Sequence, residues 1–152
     1  MPNLKRILLA EDNPNDVELT LAALKDCRLS NEVEVVRDGA EALDYMYERG
    51  HFSDRRSGLP GVVLLDLKMP RIDGLEVLRQ IKADPMMRHV PVVMLTSSRE
   101  ESDLILSYDL GANAFVVKPV DFDQFLAAIR SLGVFWAIVN EPSPRKNLIG
   151  EP

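Results

Sequence analysis

The sequence predicts an α/β fold in which a parallel sheet of five strands lies between two layers of helices. The first observation is a set of short, almost wholly apolar runs at Ile7–Ala10, 62–65, 92–95 and 115–117. The second is that segments with apolar residues at helical spacing separate these runs. Apolar runs are typical of strands buried on both faces, and their alternation with helices builds a parallel sheet in a three-layer sandwich.

The first two strand–helix units are marked by a capping sequence and a valine-rich run. Asn13-Pro14 predicts an N-cap followed by proline in the first helical turn, so the first helix should begin there and end near Cys27. The valines of 33–36 predict the second strand. Apolar side chains at helical spacing then predict a second helix over 40–47.

The connection over 49–61 is long for an α/β protein and rich in glycine, serine and charge. It is either an insertion with a role in recognition or a solvent-exposed excursion. His51 and His89 both lie in predicted loops, and two isolated histidines form neither a zinc site nor a catalytic triad.

The remaining helices have recognisable ends. Gly74 should open the third helix and Asp84-Pro85 should close it, while a fourth helix over 100–110 should end at Gly111. Strand five follows, and a last helix is predicted by apolar residues that share one face: Phe122, Phe125, Leu126, Ile129 and Leu132.

Composition indicates one globular domain, which we place at 1–140, followed by a proline-rich tail at 141–152. The chain has 152 residues, 46% of them hydrophobic. A net charge of −6 argues against nucleic-acid binding. The single cysteine, Cys27, excludes an internal disulfide and a Cys-rich zinc site. No run approaches the ~20 apolar residues of a membrane span, so we expect a cytoplasmic protein that binds no membrane.

Polar side chains directly follow the four apolar runs: Glu11 and Asp12, Asp66, Thr96, and Lys118. The third predicted strand carries Asp66, and the fourth ends at Thr96. The carboxyl ends of parallel strands meet at one edge of a sheet, where α/β proteins bind their ligands. We therefore expect these five side chains to share one site. Taken alone, each carboxylate or hydroxyl could only cap the next helix, and the lysine could be a solvated strand end.

Oxygen ligands from Asp12, Asp66 and the backbone carbonyl of Lys68 would suit Mg²⁺, with Glu11 acting through water. A carboxylate can also attack phosphorus to give an aspartyl phosphate. Phosphoryl transfer needs positioning and charge neutralisation, which the cation, an ammonium and a hydroxyl would supply. The set predicts a magnesium-dependent phosphoryl site.

Four motifs then occur in order: EDNP at 11–14, LLDLKMP at 64–70 followed by DG at 73–74, MLTS at 94–97, and GANAFVVKP at 111–119. Together they resemble the receiver domain of response regulators in bacterial two-component systems, over about residues 5–132. The resemblance implies a flavodoxin-like, doubly wound sheet with the strand order 2-1-3-4-5.

The resemblance also implies residue roles. Asp66 would be the phosphoacceptor, and Glu11 with Asp12 would be the acidic pair that holds Mg²⁺. The pair is Glu-Asp here, whereas Asp-Asp is usual in the family.

Thr96 and Lys118 would sense the phosphoryl group, and Phe115 would be the aromatic switch residue that moves inward with the threonine. Lys118-Pro119 matches a peptide bond that is cis in the family. The switch aromatic has no hydroxyl here.

A family member of this kind would take its phosphoryl group from a sensor histidine kinase or a phosphotransfer protein. It would catalyse only its own phosphorylation and dephosphorylation. It would signal through protein contacts with an unknown partner, or act as a phosphate sink or shuttle. The stretches 47–52 and 107–110 and the pair Phe135-Trp136 resemble small stand-alone regulators paired with bacterial phytochrome kinases.

The apolar segment 134–139 leaves two alternatives. It could fold back on its own domain, or it could extend the fifth helix into a homodimer formed through the fourth helix, the fifth strand and the fifth helix.

Two other functional classes compete with the receiver. An aspartyl-phosphate phosphohydrolase usually has a second acid two residues after the nucleophile, where this chain has Lys68. A flavodoxin-like cofactor binder needs a glycine-rich phosphate loop after the first strand, where this chain has Glu11-Asp12. Both therefore fit less well.

Overall fold

The computed structural model describes residues 6–26, 32–55, 58–97 and 108–132. Five parallel strands form one sheet in the order β2-β1-β3-β4-β5. The strands are β1 (Ile7–Ala10), β2 (Val33–Val36), β3 (Val62–Asp66), β4 (Val92–Thr96) and β5 (Ala114–Val117). The described helices are α1 (Pro14–Asp26), α2 (Gly39–Tyr47), α3 (Gly74–Ala83) and α4 (Phe122–Ser131), with a 3₁₀ turn at Gly50–Phe52. The predicted flavodoxin-like sheet and its strand order are confirmed.

The three layers follow from the alternation of side chains along each strand. Leu8 and Ala10 of β1 belong to the core on the side of α2 and α3. Ile7 and Leu9 belong to the core on the opposite side, under α1 and α4. Both faces of the sheet are thus covered, which explains why its strands are apolar throughout.

Side-chain caps fix where the helices begin. The Asn13 side-chain oxygen accepts hydrogen bonds from the backbone N–H groups of Asn15 and Asp16, at 2.8 and 3.2 Å. This arrangement confirms the predicted N-cap. The other helices are capped by aspartates at the same relative position: Asp38 for α2, Asp73 for α3 and Asp121 for α4.

Strands β3 and β4 have Asp66 and Thr96 as their last residues, as predicted, because backbone hydrogen bonds continue at Leu67 and Lys118. The sequence prediction was wrong about one detail of the last helix. Phe122 does not share the buried face of α4, since it is 38% exposed at the first helical position while Phe125 is fully buried.

Two further predictions fall largely outside the described residues. Only the end of the predicted fourth helix, at 108–110, is described, so the final helix is labelled α4 here. The segment 134–139 and the tail 141–152 also lie outside the described part of the chain.

The described part of the 49–61 connection packs against α2. The rings of Phe52 and Tyr45 meet edge to face, with centroids 5.2 Å apart. The Arg55 guanidinium lies 4.0 Å from the Tyr45 ring centroid, and its Nε donates to the Tyr45 carbonyl at 3.1 Å. This part is therefore anchored to the domain and is not a wholly solvated excursion.

Helix α3 begins in direct contact with the end of β3. A Cβ atom at Gly74 would lie 2.1 Å from the carbonyl oxygen of Asp66. The Gly74 N–H donates to the Leu67 carbonyl at 2.9 Å. Only glycine allows the two backbones to approach this closely.

Among the helices of the described residues, none combines the length and the apolar character needed to cross a membrane.

Candidate phosphoryl-transfer site

The carboxyl ends of β1, β3, β4 and β5 surround an open pocket of about 300 Å³. Its lining residues are Glu11, Asp12, Asn13, Asp16, Asp66, Leu67, Lys68, Thr96, Ser97 and Lys118. Strand register explains the gathering, since Asp66 pairs with Leu95 and Thr96 pairs with Val117, the residue before Lys118. The structure thus places together all the residues that the sequence predicted here.

Three carboxylates form a compact acidic cluster in this pocket. Oxygen atoms of Glu11, Asp12 and Asp66 all lie within 4.8 Å of one another. Glu11 is fully buried and Asp66 is 4% exposed, whereas Asp12 faces solvent. Carboxylates this close repel each other, and hard oxygen donors are the ligands of divalent cations such as Mg²⁺ and Mn²⁺. The donor set therefore fits a divalent cation, with Asp12 on the open side.

The ammonium group of Lys118 lies beside the acidic cluster. It is 3.0 Å from Glu11 Oε2, 2.9 Å from Asp16 Oδ2 and 3.2 Å from Asp66 Oδ1. An ammonium has three N–H donors, so these three carboxylates can use all of them. The peptide bond between Lys118 and Pro119 is cis, which confirms the prediction from the family resemblance.

At Glu11, Asp66 and Lys118, burial and the neighbouring charged groups have opposite effects on the pKa. Burial raises the pKa of Glu11 to about 7, and hydrogen bonds from Lys118 and Asn13 oppose this shift. Burial likewise raises the pKa of Asp66 against the attraction of Lys118. Burial alone would lower the pKa of Lys118, but its hydrogen bonds to Asp16 and Glu11 outweigh burial and raise it. The lysine stays charged, whereas burial destabilises the charged forms of Glu11 and Asp66.

The other predicted site residues lie around this centre. Thr96 is 2% exposed at the end of β4, and Lys68 is exposed at the rim of the pocket. Phe115 lies on β5 outside the pocket lining and is half-buried. Its ring contacts that of Tyr108 edge to face, with centroids 4.6 Å apart.

Sequence reasoning missed Asp16. It lies in the first turn of α1, four residues after Asp12, and its carboxylate makes the shortest contact to Lys118. An acid in a first helical turn is usually explained by the helix dipole. The available signal was the helical spacing, which turns position 16 back toward the strand ends.

Known proteins resemble this chain over most of its length. Residues 7–130 match the family model described as the response regulator receiver domain. The chain is 36% identical over 132 residues to the response regulator Rcp1 of Synechocystis sp., which covers 87% of this chain and 88% of Rcp1.

Solved structures give the same result. The bacteriophytochrome response regulator AtBRR matches with a TM-score of 0.84 and 64% identity, covering 92% of this chain and 100% of AtBRR. The Mn²⁺-bound form of Rcp1 matches with a TM-score of 0.73 and 35% identity, covering 91% and 99%. The chain therefore belongs to the response regulator receiver family and is a response regulator that accepts a phosphoryl group from a histidine kinase.

Proposed function

We propose that Asp66 is the phosphoacceptor and that the chain itself catalyses the transfer in the presence of Mg²⁺. The observation that carries this proposal is the surroundings of the Asp66 carboxylate. It is nearly buried, shares a cluster with two other acids, and lies 3.2 Å from the Lys118 ammonium. A nucleophile so placed has a cation site on one side and a fixed positive charge on the other.

In the transfer, an Asp66 oxygen forms a bond to phosphorus while the P–N bond of the kinase phosphohistidine breaks. Lys118 donates a hydrogen bond to one phosphoryl oxygen, and the hydroxyl of Thr96 donates to another. Bound Mg²⁺ supplies charge neutralisation. Glu11, Asp12, Asp66 and the Lys68 carbonyl would hold it. Phe115 then moves inward together with Thr96, and a partner protein detects this change in the position of the switch residue.

The partner that we propose is a bacteriophytochrome histidine kinase. Support comes from the bacteriophytochrome response regulator AtBRR, which matches 92% of this chain at 64% identity. Output would then pass by protein contact to a downstream partner, or the chain would act as a phosphate sink or shuttle. Phosphotransfer from a bacteriophytochrome kinase should be much faster than from an unrelated kinase, and equal rates would contradict the pairing.

The test of the site uses a small phosphodonor, acetyl phosphate, with Mg²⁺. The parent chain should gain one phosphoryl group, and Asp66→Asn should gain none while keeping its unfolding temperature, because the amide is not nucleophilic. An acyl phosphate on the Asn variant would overturn the assignment. Continuous release of phosphate by the parent, with many turnovers a minute, would favour the phosphohydrolase alternative.

We also propose that the domain spans 1–140 and forms a homodimer through the face of the helix predicted at 100–110, strand β5 and the final helix, extended by 134–139. Support comes from the apolar sequence of that segment. Sedimentation should show a dimer for the parent and a monomer for the double variant Phe135→Asp, Trp136→Ser. Monomers of both at micromolar concentration, with and without phosphorylation, would contradict the dimer.

A further inference from the structure

We propose that Asp16 is a positioning residue, which keeps the Lys118 ammonium in the site while the cation and the phosphoryl group engage the other carboxylates. This inference rests on the proposed function of Asp66 and adds to it a residue outside the family motifs discussed above. The feature that carries it is the ring of three carboxylates around one ammonium.

The three carboxylates of that ring are not equivalent. Glu11 and Asp66 also belong to the acidic cluster whose oxygens lie within 4.8 Å of one another. Asp16 lies outside that cluster and makes the shortest contact, 2.9 Å, to Lys118 Nζ. Its side chain is 26% exposed, so the ion pair is partly shielded from water. Asp16 is therefore the member of the ring that serves the lysine alone.

The backbone around Asp16 is held from both sides. Its N–H donates to the Asn13 side-chain oxygen at 3.2 Å. Its carbonyl accepts a hydrogen bond at 2.8 Å from the hydroxyl of Thr20, which is fully buried. A carboxylate on such a support can fix the position of the group that it binds.

Phosphorylation changes what the other two carboxylates offer to Lys118. One Asp66 oxygen becomes bonded to phosphorus, so the former carboxylate loses its charge and accepts hydrogen bonds less strongly. The N–H that pointed to Asp66 then passes to a phosphoryl oxygen. A bound cation would neutralise part of the charge of Glu11, which would weaken its attraction for Lys118. Asp16 keeps its full charge for Lys118 and so holds the nitrogen in reach of the phosphoryl group.

The first test compares phosphorylation rates with acetyl phosphate at saturating Mg²⁺. Asp16→Ala should lower the initial rate about tenfold, as expected for a misplaced reacting group, and Asp16→Asn should lose less because the amide oxygen still accepts a hydrogen bond. The matched control is Glu18→Ala, which removes the same charge from an exposed position of α1 and should stay within about twofold. Equal rates for the Asp16 and Glu18 variants, or a faster Asp16 variant, would overturn the proposal.

The second test separates positioning from a structural role. When Lys118 is already replaced by Met, Asp16→Ala should cause no further loss, and an equal tenfold loss in that background would contradict a role through the lysine. In parallel, the ¹⁵N-edited ammonium signal of Lys118, recorded with Mg²⁺ and beryllofluoride, should be present in the parent and in Glu18→Ala but lost in Asp16→Ala. If the Lys118→Met rate is too slow to measure, this signal decides alone: its survival in Asp16→Ala overturns the proposal.

Failure of this inference differs from failure of the proposed function. If Asp66→Asn is still phosphorylated, the phosphoacceptor is misassigned. If phosphorylation depends on Asp66 but the Asp16 variants match the parent, only the role of Asp16 is wrong.

Discussion

Two lysines at opposite ends of the parallel strands, Lys82 and Lys118, each contact three oxygen acceptors, but their pKa values shift in opposite directions. The Lys82 ammonium donates to the carbonyl oxygens of Arg88 and Val90 and to the Asn113 side-chain oxygen, at 3.1, 2.9 and 3.0 Å. These acceptors lie just before β4 and β5 begin. Burial lowers the pKa of Lys82, and its acceptors carry no charge to reverse that shift.

Lys118 lies just after β5 ends and meets carboxylates instead. Burial lowers its pKa too, but hydrogen bonds to Asp16 and Glu11 reverse the shift and raise it. The difference shows that the charge of the acceptors, and not their number, determines the direction in which the pKa of a partly buried lysine shifts. Lys82 binds neutral carbonyl oxygens and holds the start of two strands, whereas Lys118 balances the negative charge of a site whose charge changes on phosphorylation.

Replacing each lysine with methionine tests this comparison, because methionine keeps an apolar stem and removes the ammonium. Lys118→Met should lower the initial rate of phosphorylation by about 100-fold, the loss expected for one fixed donor to developing charge. Lys82→Met should lower the free energy of unfolding by about 1–3 kcal/mol, since it leaves carbonyl groups without a donor, but should phosphorylate normally. Similar phosphorylation losses in both variants would break the distinction.

The pH dependence of stability should reveal the buried acids. Burial raises the pKa of folded Glu11 from 4.5 to about 7, so the folded state binds this proton more tightly than the unfolded chain. Stability of the metal-free protein should therefore rise as the pH falls from about 7.5 to 5, by about 2 kcal/mol. Urea unfolding at several pH values measures this gain. Glu11→Gln should flatten the profile, and a profile that the variant leaves unchanged would assign the effect to another group.

Removing a charge from the open side of the cluster should weaken cation binding. Asp12→Asn should reduce Mg²⁺ affinity by about tenfold, because it deletes a metal-facing carboxylate while relieving repulsion in the metal-free state. Its stability at neutral pH should be equal or slightly higher. Calorimetric titration with Mg²⁺ checks the affinity, and a variant that binds as tightly as the parent would show that Asp12 is not a ligand.

The smallest expected effect concerns the lifetime of the phosphoryl group. Lys68 is exposed at the pocket rim, and we expect its stem to shield the acyl phosphate from water; Ser98, predicted to flank the same approach, lies outside the described residues. Lys68→Asn should speed dephosphorylation about threefold, since an amide can orient water. Phosphate loss after removal of the donor measures the rate. Unchanged or slower decay would show that Lys68 does not shield the site.

The sequence predicted the fold because strand burial and helix caps are local signals. The apolar run at Ile7–Ala10 matches β1 residue for residue, and Asn13 caps α1 as expected. The strand order came from the family resemblance, since periodicity does not determine which strands pair.

The site was predictable where its residues follow strands, because parallel strands end at a common edge. The role of Asp16 was not predicted, because this residue reaches the site from a helix and its local sequence is that of an ordinary acid in a first helical turn. Phe122 shows a related limit: its spacing fits the apolar face of α4, but the side chain lies beyond the edge of the core. Contacts between elements decide such positions, and helical spacing alone does not describe them.

The close contact between Gly74 and the Asp66 carbonyl has a consequence for genetics. A screen for variants that lose signalling should return position 74 beside position 66, even though glycine has no side chain to take part in chemistry. An alanine there would have to displace the backbone that carries the proposed phosphoacceptor. Position 74 would thus behave in a mutant library like a member of the active site.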